Sequence, residues 1–132
     1  MWSWADVGGT LFFGYSDPSF AIPINPEGLW KSNGTSSGTT LVRDINVSGG
    51  AQLRYLTNVN GKLFFRANDG STGAELWKSD GTEAGTVRVK DIRTGSNGSS
   101  PESLTNLGGT LYFTANDGTH GQEIFKSDGT AG

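Results

Sequence analysis

Apolar residues fall in short runs separated by Gly, Asn, Asp, Ser and Thr, and no segment carries them at the i, i+3, i+4, i+7 spacing of a helix face. Leu11-Phe12-Phe13, Leu63-Phe64-Phe65 and Leu111-Tyr112-Phe113 follow Gly8-Gly9, Asn60-Gly61 and Gly108-Gly109. Such pairs between apolar runs predict tight two-residue hairpins, because primed turns need positive φ, which Gly and Asn tolerate. Further on, Val87, Val89 and Asp91 alternate with Arg88, Lys90 and Ile92, which predicts a strand with one mostly apolar face.

The pattern repeats. Leu29-Trp30-Lys31-Ser32-Asn33-Gly34-Thr35, Glu75-Leu76-Trp77-Lys78-Ser79-Asp80-Gly81-Thr82 and Glu123-Ile124-Phe125-Lys126-Ser127-Asp128-Gly129-Thr130 are versions of one phrase, and their aromatics stand 47 and 48 residues apart. Each phrase reads as a third strand ending in a tight turn. Gly38–Ile45 and Gly85–Ile92 supply a fourth strand after the first two. The first repeat carries a five-residue insertion near 16–26 with three prolines, a loop or edge crossing, since proline cannot donate to a ladder.

Four short antiparallel strands per period predict an all-β chain of β-propeller-type blades, two full repeats and one incomplete. The blades span 1–50, 51–98 and 99–132 as one continuous array. Eleven strands are too few for a closed ring of 4 to 8 blades, so completion by a longer array or by oligomerisation is expected.

The 33% apolar content is low for a core, and seven Phe, four Trp and three Tyr offset part of the deficit. A net charge of −3 without clustered Lys or Arg gives no basis for binding nucleic acid. No apolar run is long enough for a transmembrane helix, and the N-terminal residues lack the basic and apolar segments of a secretory signal. Zero cysteines exclude disulfides and cysteine-based zinc sites or nucleophiles.

Glu75-Leu76-Trp77-Lys78-Ser79-Asp80-Gly81-Thr82, followed by Gly85-Thr86, resembles the signature of the bacterial ELWxxDGT repeat proteins. The third copy has Ile124 and Phe125 for Leu and Trp, and the first has Gly28 for Glu and Asn33 for Asp. The resemblance covers nearly the whole chain. It implies propeller-like structure and an extracellular or cell-surface bacterial setting, and it brings no catalytic residues.

Asp69, Asp80, Asp117 and Asp128 are oxygen donors in Gly-rich loops, as a calcium site would need. Asn33 in place of Asp80 favours turn chemistry instead, because Asn-Gly and Asp-Gly serve a turn equally while calcium loses a charge. Trp30, Trp77 and Phe20 are candidate platforms for a glycan; the competing reading makes the phrase aromatic a filler between blades. The lysine after each aromatic is expected to snorkel or shield an edge. His120 reads as a solvated loop residue, and Asn33, Asn46 and Asn97, although in sequons, as turn residues. Without a nucleophile motif, phosphate loop or metal cluster, no enzyme chemistry and no cofactor is expected. The expected function is a non-enzymatic assembly module that self-associates into a ring or filament. A carbohydrate-binding propeller and a calcium-stabilised adhesin fragment are the alternatives.

Overall fold

The computed structural model describes residues 3–16 and 27–131. Residues 17–26, including Phe20 and most of the proline-containing insertion, lie outside the described residues. The described part contains no helix. Its eleven strands are β1 (Trp4–Val7), β2 (Thr10–Ser16), β3 (Glu27–Ser32), β4 (Thr40–Asp44), β5 (Arg54–Val59), β6 (Lys62–Asn68), β7 (Ala74–Ser79), β8 (Val87–Lys90), β9 (Glu102–Leu107), β10 (Thr110–Asn116) and β11 (Gln122–Ser127). They form three antiparallel sheets in chain order, β1-β2-β3-β4, β5-β6-β7-β8 and β9-β10-β11.

Local chemistry explains the first hairpin of each sheet. Gly8-Gly9, Asn60-Gly61 and Gly108-Gly109 all have positive φ at both positions, the requirement of a type I′ turn. Two residues before each pair, Asp6, Asn58 and Asn106 accept the amide of Gly9, Gly61 and Gly109 at 2.8, 2.9 and 3.0 Å. The second and third strands of each sheet share one register. Phe13 lies opposite Trp30, Phe65 opposite Trp77 and Phe113 opposite Phe125, so the two large rings of each sheet share a face.

Each sheet is too thin to bury its apolar residues alone, so the core forms between sheets. Phe12, Leu29 and Val42 of the first sheet meet Leu63, Phe65 and Trp77 of the second in one cluster. Phe64, Leu76 and Val89 on the second sheet's other face meet Leu111 and Phe113 of the third, with Phe125 alongside. The sheets approach most closely along their first strands, β1 against β5 and β5 against β9. A side-chain rung links those strands as well: Asn58 Nδ2 donates to the Asp6 carbonyl at 3.0 Å, and Asn106 Nδ2 to the Asn58 carbonyl at 3.3 Å.

Candidate functional site

The repeated phrase folds into a closed hydrogen-bonded turn. In the second sheet, Asp80 Oδ1 accepts the Thr82 amide at 2.9 Å and its hydroxyl at 2.6 Å, while Ser79 Oγ accepts the Gly81 amide at 3.0 Å. The Thr82 hydroxyl accepts the Gly85 amide, and the Thr86 hydroxyl returns to the Thr82 carbonyl and meets Ser79 Oγ, each at 2.7 to 3.0 Å. Gly85 is required because any Cβ there would run into the Asp80 carboxylate. The first sheet repeats the network bond for bond, with Asn33 Oδ1 accepting from Thr35 and Ser32 Oγ from Gly34. In the third sheet Asp128 Oδ1 holds Thr130 and Ser127 Oγ accepts from Gly129. Asn33, Asp80 and Asp128 thus do the same work whether charged or neutral. The threonine bonds hold the carboxyls of Asp80 and Asp128 below the usual range.

Asp69 and Asp117 cap a different loop, the one joining the second and third strands. Asp69 Oδ1 takes four donors, the amides and hydroxyls of Ser71 and Thr72, and its Oδ2 stands 3.6 Å from Arg88. Asp117 Oδ1 takes the amides of Thr119 and His120, and its Oδ2 lies 2.8 Å from His120 Nδ1. These contacts hold the Asp117 carboxyl far below its usual value, and the carboxylate in turn raises the His120 imidazole. Among the described residues, Asp117, His120 and Glu123 form a group whose ligand atoms lie within 4.8 Å of one another. Asp69, Asp80 and Asp128 do not belong to it.

The first residue of the phrase has a role that sequence reasoning missed. Glu75 is fully buried and accepts from the amides of Ile92, Arg93 and Ser99 at 3.2, 3.3 and 2.9 Å and from the Ser99 hydroxyl at 2.5 Å. It pins the connection from β8 to β9 onto the second sheet. Burial pushes its pKa up against the pull of those four donors. At Gly28, the matching position, a Cβ would meet Leu41 Cδ1 at 2.6 Å, so a side chain there would have to displace Leu41. Glu123 is exposed.

Trp77 is buried between the first two sheets, with the Arg43 guanidinium 5.9 Å over its ring. Trp30 is half-buried on the first sheet's outer face, edge-on to Tyr15 at 5.8 Å. A cleft of about 420 Å³ opens between these sheets at the turn end, where Lys31 and Asp80 line it among apolar and hydroxyl groups.

Comparison with protein-family models, curated proteins and solved structures returns no match. The three repeats are therefore each other's best comparison, and their differences are informative. Lys31 Nζ donates to the Gly81 carbonyl at 2.9 Å, and Lys78 Nζ to the Gly129 carbonyl at 2.6 Å. Each lysine thus lies on the face opposite its neighbouring aromatic, as the sequence suggests, and its ammonium binds the phrase turn of the following sheet. The same turn glycine packs on an aromatic of the preceding sheet: a Cβ on Gly81 would lie 3.3 Å from Phe12 Cζ, and one on Gly129 3.1 Å from Phe64 Cζ. At the two ends these parts are unmatched. Lys126 is exposed without a hydrogen bond among the described residues, Tyr112 is half-buried, and Gly34 has no atom within 4 Å of its would-be Cβ.

The apolar positions follow suit. Ile124 on the third sheet's outer face is 78% exposed, while Leu29 and Leu76 at the same repeat position are 0% and 1%. On the first sheet's outer face Leu11 is 42% exposed, against 1% for Leu63 and 0% for Leu111. Trp4 and Leu107 are exposed for the same reason, as members of these two outer faces.

Proposed function

We propose that the chain is a non-enzymatic assembly module of propeller-type blades that stacks head to tail, the third sheet's outer face taking the first sheet's outer face of a second copy. The observation that carries this reading is the lysine rung made twice inside the chain and left with an unused donor, Lys126, at one end and an unused turn, Gly34, at the other. Around it, Leu107, Tyr112 and Ile124 occupy positions that in the inner contacts face residues equivalent to Leu11, Phe13 and Trp30. Burying Ile124, which is 78% exposed, would contribute about 1.5–3 kcal/mol, and Leu107 and Leu11, at 66% and 42%, proportionally less.

The two faces differ from each other, so the contact is heterologous and gives a ring where the rotation closes and a filament where it does not. The close approach of β1, β5 and β9 supports a fan of blades around an axis, and two copies would bring together about as many blades as a six-bladed ring. One rung is lost in such a contact, because Asp6 carries a carboxylate where Asn58 and Asn106 donate an amide. An extracellular setting is part of this proposal through the repeat resemblance alone.

Mass measurement in solution tests the reading. Oligomers at micromolar concentration that dissociate on Ile124→Asp and on Leu11→Asp are expected. A folded monomer throughout that range overturns it.

A further inference from the structure

The cleft of about 420 Å³ between the first and second sheets lies inside the stack, so both of its walls belong to one chain. Sites for small ligands begin at about 300 Å³. Two residues of opposite charge line it, Lys31 from the first sheet and Asp80 from the second. Their charges cancel, which disfavours an anion and a cation alike. Buried Phe12 and Leu63 supply an apolar lining, and the other polar side chains there include Thr10, Thr40 and Asn33.

The fold uses these polar groups only in part. Lys31 Nζ gives one donor to the Gly81 carbonyl at 2.9 Å, which leaves two. Thr82 takes Asp80 Oδ1 and leaves Oδ2 as an acceptor; Thr35 takes Asn33 Oδ1 and leaves the Nδ2 donors. The Thr10 and Thr40 hydroxyls carry no hydrogen bond among the described residues. A neutral ligand with several hydroxyls matches this mixture of donors and acceptors, because each hydroxyl can both donate and accept.

We propose that the cleft binds a neutral pyranose sugar, free or at the end of a glycan, with an apolar ring face against Phe12 and Leu63 and its hydroxyls shared among Asp80, Asn33, Lys31 and Thr40. Trp30 and Trp77 take no part, since neither lines the cleft. The second sheet builds the equivalent wall from other chemistry. A cavity of about 250 Å³ there has Lys62 where Thr10 stands, Val87 where Thr40 stands and Asp80 where Asn33 stands, beside Lys78. That wall loses two hydroxyls and gains charge, so one sugar per chain is expected.

The test titrates the full chain with the methyl glycosides of glucose, galactose and mannose and follows the amide chemical shifts. Saturation by at least one of them is expected at a dissociation constant of about 1 mM or below, ordinary for a ligand of this size. Shifts should move at Gly38, Gly61 and Gly81, which line the cleft. The corresponding uronic acid anion and amino sugar cation should bind less well than the neutral glycoside. Asp80→Asn keeps Oδ1 for Thr82, as Asn33 does for Thr35, so the turn stays folded while the second acceptor becomes a donor. Affinity should fall about tenfold, the size of one charged hydrogen bond. Thr40→Val installs the residue of the second sheet and should weaken binding about threefold. No saturation by any of the three up to about 10 mM, tighter binding of a charged sugar, shifts confined to residues outside the cleft, or an affinity that neither variant changes overturns the proposal. Binding is expected in monomer and oligomer alike, so its failure leaves the stacking reading untouched.

Discussion

Lys78 Nζ crosses from the second sheet to the Gly129 carbonyl of the third, 2.6 Å away, just as Lys31 crosses from the first sheet to Gly81. The acceptor is the carbonyl of the turn glycine in the repeated phrase, so the phrase of one sheet serves as the docking point for the lysine of the sheet before it. The turn and the stacking of sheets are one device.

This relationship separates Lys78 from Lys126, although they occupy the same repeat position. Lys78→Met should destabilise the folded chain by about 1 kcal/mol in denaturant unfolding, the net worth of one hydrogen bond. Lys126→Met should change monomer stability by less than about 0.5 kcal/mol and instead weaken self-association. Equal stability losses in the two variants would contradict the assignment.

The phrase turn makes a prediction about charge. Asp80→Asn should leave stability within about 0.5 kcal/mol, since Asn33 makes the same bonds to Thr35, whereas Asp80→Ala removes the acceptor of two bonds and should cost about 1–2 kcal/mol. Gly85→Ala should cost more than either, because its methyl group meets the Asp80 carboxylate. Chemical unfolding of the three variants gives the order directly. A calcium site at Asp80 would reverse the expectation for Asp80→Asn in the presence of the ion.

Glu75 ties a connection to a sheet with a buried carboxylate, and Glu75→Gln should destabilise by about 2 kcal/mol because the amide group faces backbone donors with a donor of its own. Burial raises the pKa of Glu75 in the folded state above its unfolded value. The folded chain therefore holds the proton more tightly, and stability falls as the pH rises through the interval between the two values. That slope should vanish in Glu75→Gln. Unfolding curves between pH 4 and pH 7 measure it.

His120 donates to or accepts from Asp117 at 2.8 Å at an exposed loop, and the carboxylate raises its pKa above the ordinary imidazole value of about 6.5. The stabilising contact is therefore complete below that ordinary value and lost as the pH rises through the raised one. Proton NMR of the ring should show a titration midpoint above 6.5, and Asp117→Asn should return it toward 6.5.

The strands were legible because their causes are local. Gly8-Gly9, Asn60-Gly61 and Gly108-Gly109 each supply the positive φ of a tight hairpin wherever they occur, and the runs beside them have the residue types of half-buried strands. The phrase was legible as a turn for the same reason, since Asn33 and Asp80 share one role. Glu75 was not legible: its partners Ile92, Arg93 and Ser99 lie 17 to 24 residues away, and only the shape of the connection brings them to it. A signal existed in the first copy, where Gly28 replaces the glutamate. The lysines' acceptors were not legible either, because they lie on another sheet, 50 and 51 residues on.

By itself the sequence determined the period, the hairpins, the antiparallel strand count and the shape of the phrase turn, all of which depend on backbone preferences within a few residues. The tertiary structure decided what each repeated residue is for. Leu29, Leu76 and Ile124 are the same word in three copies, yet the first two are buried and the third lies 78% exposed, because burial depends on whether another sheet stands beside the face. Repetition copies local geometry but cannot copy a neighbour, so the outer faces of the first and third sheets are where this chain meets a second copy in the function proposed above.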